Sequence, residues 1–219
     1  MEVFTRFAGD FREYSSIFVG GLSYTLILWA GSLALATALG MTWAVLDGQR
    51  VPILGHVARW FVIFIRGVPI LVQLFYIYFL LPAIGIEMSS VQAAMIALGL
   101  AYSAYAAEVF RAGMKAIDGG QIEAAQAMAM SRFTIIRRVV IPQTFTYSLP
   151  GYVNIIIMVL KGTAIASVIA VPELTRAATL ISQSTYKSFT IYSMLAVYYM
   201  IICVPMVIGL RSIERRSAR

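Results

Sequence analysis

YSSIFVGGLSYTLILWAGSLALATALGMTWAVL, residues 14–46, contains no Asp, Glu, Lys or Arg. Lipid offers a bare backbone no hydrogen-bond partner, so an apolar stretch of this length reads as a membrane-crossing helix. Four more charge-free runs follow at 67–86, 88–107, 139–160 and 188–210. Each reaches the roughly 20 residues that a bilayer requires. The fold class expected is all-α and polytopic. A single transmembrane domain over 1–219 would have spans near 15–46, 60–82, 88–110, 143–170 and 188–210. The second would carry Arg66 near its start, and the fourth would run on past Lys161.

Composition agrees. The 219 residues are 60% hydrophobic and 12% charged, against roughly 45–50% and 25% in soluble domains. One cysteine, Cys203, excludes a disulfide framework, and one histidine, His56, leaves no His-built metal site. No metal or nucleophile constellation suggests an intramembrane enzyme. Glycines and alanines in the first span, among them Gly31, Ala36 and Gly40, suit close helix packing.

Lys and Arg collect on the cytoplasmic side of membrane proteins. With RSIERRSAR at the C-terminus placed inside, twelve of seventeen basic residues fall on the cytoplasmic half, Arg50 and Arg219 among them. The ten acidic residues divide evenly, so the whole net charge of +7 lies there. The N-terminus is then outside and the C-terminus cytoplasmic. The surplus reports topology, and no aromatic-basic patch supports nucleic-acid binding. No cleavable signal peptide is expected, because the first apolar run is too long and MEVFTRFAGDFREY is net acidic. Phe4, Phe7, Phe11 and Tyr14 share one helical face, consistent with a short interfacial helix or a frayed end.

Residues 110–142 form the one substantial cytoplasmic insertion. Asp118-Gly119-Gly120 signals a turn, residues 121–130 are strong helix formers, and Ser131 can cap a second helix beginning at Arg132. This reads as a helix-turn-helix lying against the membrane, with Pro142 at the entry to span four. Glu123, Arg132, Arg137 and Arg138 would face a partner or solvent, and a loop merely joining two spans is the alternative. Between spans four and five, VPELTRAATLISQSTYKSF should form an outer helix starting at Pro172, with Glu173 in its first turn.

EAAQAMAMSRFTIIRRVVIP, residues 123–142, resembles the EAA loop of binding-protein-dependent ABC importers. That pattern runs EAA, three residues, Gly, nine residues, Ile, one residue, Leu-Pro. Glu123, Ala124 and Ala125 head it, Val139 takes the Ile position, and Ile141-Pro142 the Leu-Pro. The motif glycine is Ala129 here, so a left-handed backbone is not required and Ser131 supplies the break. Arg66-Gly67-Val68-Pro69-Ile70-Leu71-Val72-Gln73-Leu74-Phe75 and Ala104-Tyr105-Ala106-Ala107-Glu108-Val109-Phe110-Arg111 are similar to segments of permeases for polar amino acids. Leu160-Lys161-Gly162-Thr163 and Glu173-Leu174 continue the register.

The resemblance implies a type I importer permease for polar amino acids or their derivatives, working by alternating access. A second permease subunit, a paralogue in preference to a copy, would pair with it, and a solute-binding protein would deliver the amino acid. Glu123, Ala124, Ala125, Ala129, Ser131, Arg137 and Arg138 would dock on ATP-binding subunits. This chain has no GxxxxGK[ST] phosphate loop, so the resemblance assigns ATP and Mg to that partner. The chain itself would hold no cofactor and no catalytic residue. Solute contacts are implied at Ala101, Tyr105, Glu108, Lys161, Gly162, Thr163 and Ala164. Several family polar groups are replaced here: Asn by Ala101, Asp by Gly162 and Ser by Ala164. Either a partner permease holds the ligand, which is preferred, or the pocket suits a bulkier derivative. A secondary transporter or channel without an ATPase is the alternative on composition alone.

Overall fold

The structure, a computed structural model, describes residues 2–48 and 52–217. Arg50 and Arg219, two of the basic residues expected inside, lie outside the described residues, as does the side chain of Phe4. In chain order the helices are α1 (Glu2–Gly48), α2 (Pro52–Gly67), α3 (Ile70–Phe75), α4 (Leu81–Ala83), α5 (Ser90–Lys115), α6 (Gly119–Ala127), α7 (Arg132–Ile135), α8 (Ile141–Gly162), α9 (Leu174–Thr185) and α10 (Ser188–Ser217). Among the described residues four stretches are long and apolar enough to cross a membrane: Gly9–Gly48, Ser90–Lys115, Arg132–Ile169 and Ser188–Glu214. A bent pair, Ile53–Gly67 with Ile70–Ala83, offers a fifth. The chain is an all-α polytopic membrane protein.

α5 is the central helix. Two-thirds of its apolar window (67%) is buried, against 22% for α10, which leaves much of α10 open to lipid or a neighbour. A capping box starts α5: Gln92 donates its backbone N–H to Ser89 Oγ at 3.3 Å, and Ser89 N–H donates to Gln92 Oε1 at 2.9 Å. α1 lies against it so closely that a β-carbon on Gly40 would sit 2.7 Å from Ala106 Cβ. Without a hydrophobic drive between helices in lipid, such small-residue approach supplies the packing. Ala36, Met41, Leu98, Phe110, Ile155 and Val159 fill the seam where α1, α5 and α8 meet. Trp29 Nε1 donates to Ile156 O at 3.0 Å and ties α1 to α8.

The N-terminal segment does not form a separate interfacial helix, because its residues continue α1 without a break. Phe7, Phe11 and Tyr14 pack inward against the α9–α10 cluster, with Phe11 and Phe18 both stacked on Tyr198. Burying these rings outweighs leaving them at an interface.

The second expected span, 60–82, is not one helix. α2 and α3 meet at 104°. Pro69 carries no N–H and forces the residue before it out of helical geometry, so the backbone turns at Val68-Pro69. Gln73 repairs the break: its Nε2 donates to Ile65 O and to Val68 O, each at 2.8 Å. Beyond the bend, α3 continues through a π-helical turn at Tyr76–Leu80 into α4. A second π turn, Ile136–Val140, leads into α8. Both end two residues before a proline, Pro82 and Pro142. A proline ring collides with the carbonyl four residues back, and the wider turn accommodates it.

The helix that carries span four begins well before the expected 143. α7, the π turn, α8 and the 3-10 segment Thr163–Ile169 form one helical run, Arg132–Ile169. The second helix of the insertion is therefore continuous with the helix of the span.

α9 begins at Leu174 rather than at Pro172, with Glu173 as its N-cap. The Glu173 carboxylate accepts the backbone N–H groups of Thr175 at 2.9 Å and Arg176 at 2.7 Å. Leu174 N–H donates to Thr25 Oγ1 of α1 at 3.2 Å. Near the other end of α9, Lys187 pairs with Asp10 at 2.7 Å. Both ends of α9 are thus fastened to α1.

Replacing Gln73 with Leu leaves one buried and one partly buried carbonyl without their donor, at about 1–3 kcal/mol for the buried group. The expected result is a lowered thermal midpoint for the detergent-solubilised protein, followed by circular dichroism. A midpoint unchanged from wild type would remove Gln73 as the staple of the bend.

Candidate functional site

The insertion folds around its own small core of Ile117, Ala125, Ile135 and Val140. Asp118 caps α6 by accepting Gly120 N–H at 2.8 Å. Gln143 Nε2 donates to Gln121 Oε1 at 2.5 Å and holds α6 against the start of α8. Ser131 caps α7 by accepting Thr134 N–H at 3.3 Å.

Between the two helices Ala129 is left-handed, at φ 55°. This corrects the expectation that its lack of glycine removes the need for such a residue. Met130 N–H donates to Ala125 O at 3.2 Å and Ala129 N–H to Gln126 O at 2.9 Å, the paired bonds of a Schellman ending. Those bonds offset the penalty of roughly 1–2 kcal/mol for an L-residue in this region. Ser131 begins the next helix, while Ala129 ends the first.

Of the residues expected to dock, Glu123, Ala124, Ala129, Ser131, Arg137 and Arg138 are exposed. Ala125 is not: it is 5% exposed and belongs to the inner core of the loop. Two residues that sequence reasoning missed stand out instead, Met128 at 77% and Phe133 at 71% exposure. Large apolar side chains flanking a polar turn were the available signal. A cleft of about 630 Å³ beside them is lined by Gly48, Glu123, Gln126 and Arg132 above Ile122 and Ile136.

The expected solute residues do not converge on one cavity. Ala101 is fully buried. Glu108 is held by Arg111 and, at 3.9 Å, by Arg66, and Arg66 also lies over the Tyr105 ring at 5.4 Å. This acid is therefore neutralised by two arginines, in a network beside the Asp47–Arg59 pair. Gly162 is buried against Tyr102, and a β-carbon there would collide with the Tyr102 hydroxyl. Thr163 is buried, its Oγ1 donating to Leu160 O at 2.7 Å. Lys161 and Ala164 lie elsewhere, on a groove of about 520 Å³ formed with α10 residues Tyr199, Met200, Cys203 and Val204. Asn154, also missed from the sequence, is exposed within the same span as Lys161.

Tyr199 connects that groove to α9. Its hydroxyl lies 3.2 Å from Thr175 Oγ1 and 3.4 Å from Glu173 Oε2. Glu173 is fully buried. Burial pushes its carboxyl up to about 7, against the backbone N–H bonds from Thr175 and Arg176 that hold it down.

Known proteins resemble this chain over nearly its whole length. A family model described as binding-protein-dependent transport system inner membrane component matches residues 36–219. The probable amino-acid ABC transporter permease protein YckA of Bacillus subtilis is 33% identical over 200 residues, covering 91% of this chain and 88% of the relative. The L-cystine transport system permease protein TcyB of the same organism is 36% identical over 209 residues, covering 95% and 89%. A solved structure, the crystal structure of an amino acid ABC transporter with histidines, superposes with a TM-score of 0.83 at 35% identity, over 94% of this chain and 97% of that one.

Two outcomes follow from this geometry. Ala129→Gly relieves the left-handed strain and should stabilise the chain by about 1 kcal/mol, whereas Ala129→Val should destabilise it by more; equal thermal midpoints for the two variants would contradict the assignment. For Glu173, the folded chain keeps a proton that the unfolded chain loses near pH 4.5. Its contribution is present below that pH and is lost as pH rises through about 7, an amount of order 3 kcal/mol. Melting between pH 5 and 8 should show wild-type stability falling with pH and a flatter curve for Glu173→Gln.

Proposed function

This chain belongs to the family of binding-protein-dependent transport system inner membrane components, and we therefore propose that its α6–α7 turn grips an ATPase while its spans carry an amino acid across the membrane. It is a multi-pass inner-membrane permease subunit of an ATP-driven amino-acid importer working by alternating access. ATP hydrolysis belongs to a separate ATPase subunit, and a solute-binding protein delivers the amino acid. The secondary-transporter and channel alternatives give way to the family membership.

One observation supports the coupling assignment most directly. Met128 and Phe133 project from a turn whose backbone is locked by the Ala129 ending. Apolar side chains this exposed on a polar loop suit a protein partner, since buried aromatic anchors dominate interface energies. On this reading Glu123, Ala124, Ala129 and Ser131 form the remainder of the contact. Arg137 and Arg138 reach the ATPase or acidic headgroups. Ala125 holds the loop together from within.

The N-terminus is then outside and the C-terminus cytoplasmic, which puts the insertion with the ATPase. The turn between α9 and α10, with Tyr186 and Phe189 exposed, faces the binding protein. The second permease is a paralogue, because the carboxylate Glu108 is already committed to Arg66 and Arg111, so another subunit must complete the site.

The test is reconstitution of the chain with its ATPase and binding protein in liposomes. ATP-dependent amino-acid uptake is expected, and the double change Met128→Ala with Phe133→Ala should weaken association with the ATPase by about 30-fold, equivalent to roughly 2 kcal/mol. Undiminished association would sink the docking assignment. Uptake by a complex containing only copies of this chain would sink the paralogue.

A further inference from the structure

Glu173 is fully buried, yet it lies in the connection between the runs Arg132–Ile169 and Ser188–Glu214, outside both. A buried carboxylate is ordinarily matched by a cation. None pairs with Glu173 among the described residues, although Asp10, Asp47 and Glu108 each have one. Several elements pack around it. α1 brings Gly21 and Thr25, neither of them titratable, and a β-carbon on Gly21 would sit 3.1 Å from the Glu173 carbonyl carbon. On its own helix, Arg176 offers Glu173 a backbone N–H and no ion pair. α10 brings Tyr199, whose hydroxyl stands beside Thr163 of the 3-10 segment. Lys161 lines the same groove as Tyr199, and Lys187 is held by Asp10 at the far end of α9.

The geometry suits a carboxyl that keeps its proton. Oε1 accepts the Arg176 N–H at 2.7 Å and Oε2 the Thr175 N–H at 2.9 Å, with Tyr199 Oη 3.4 Å from Oε2. In the acid form Oε2–H donates to that hydroxyl and joins α9 to α10. In the ionised form the hydroxyl has to donate instead, and an unmatched charge sits in a desolvated joint. Burial pushes the docked carboxyl up to about 7, whereas one freed to water returns to its ordinary 4.5. α9 is a 12-residue helix outside the apolar runs, so it can part from α10 without breaking a crossing helix.

We propose that Glu173 is a positioning residue for the transport cycle: its acid form docks α9 on α1 and α10, and its ionisation lets α9 part from them. The bond broken is the carboxyl O–H. Its proton passes to the outer water and is regained when α9 docks again, so no net proton crosses the membrane. Raising the outer pH favours the parted arrangement, and lowering it favours the docked one. With ionisation at about 7 when docked and 4.5 when free, the ratio of parted to docked shifts about tenfold between pH 6 and 8. The inference rests on the importer reading, which places this end of the chain outside, and adds a regulation to it.

The test uses the complete complex in nanodiscs and a polar maleimide. Cys203→Ala removes the native thiol, and a single new one reports: Ala178→Cys on the buried face of α9, or Gln183→Cys on its exposed face. Higher pH speeds both reactions alike, so the ratio of the first labelling rate to the second is read. With Glu173 present that ratio should rise about tenfold from pH 6 to 8, and with Glu173→Gln it should change by less than about twofold. Tyr199→Phe removes the α10 partner and should raise the ratio about threefold at pH 6. A ratio that stays level with Glu173 present, a rise that persists in Glu173→Gln, or no effect of Tyr199→Phe overturns the proposal. The first and third of these decide the matter even where Glu173→Gln does not assemble. ATP-dependent uptake of radiolabelled amino acids into proteoliposomes is measured in parallel at outer pH 6 and 8. Its pH profile should differ between wild type and Glu173→Gln, and identical profiles overturn the proposal. No uptake of any amino acid at either pH defeats the importer reading instead, and the labelling ratio still judges Glu173.

Discussion

A backbone in hydrocarbon has to satisfy its own hydrogen bonds, and each interruption of a helix in this chain is met by a local repair. Where Pro69 turns α2 into α3, the Gln73 amide donates to two carbonyls across the bend. Where Pro82 and Pro142 remove a donor, the preceding turn widens to π geometry. Where α6 stops, a left-handed Ala129 allows its last carbonyls to be paired. Where α9 starts, the Glu173 carboxylate collects two N–H groups. These repairs place the proposed coupling turn, the bend between α2 and α3 and the α9 helix beside the groove.

Charge follows the same economy. Asp10 with Lys187, Asp47 with Arg59, and Glu108 with Arg66 and Arg111 are paired. Against that background Lys161 is conspicuous, exposed on a span with no ion pair among the described residues.

The number of apolar runs and the place of the insertion were legible from residue type alone, since charge-free length and turn-forming Asp-Gly-Gly are local properties. Ala129 was misread because its intrinsic preference opposes the left-handed region, while the two bonds that overcome the penalty depend on the helix already being formed. Ala125 was misassigned to the surface because a short loop gives no hint of having a core. Asn154 escaped notice because a single amide in an apolar run carries no motif.

By itself, the sequence determined that the chain is a helical membrane protein, that part of its basic surplus falls on one insertion, and that this insertion has the pattern of a coupling loop. Periodicity, charge and turn chemistry act over a few residues and survive in a one-dimensional reading. Tertiary structure alone decided that Glu108 is spent on arginines, that Tyr102 closes the space at Gly162, and that Asn154 and Lys161 are left facing outward together. Those outcomes depend on which helices pack side by side, and packing between distant segments is what pairs one charge and leaves another free.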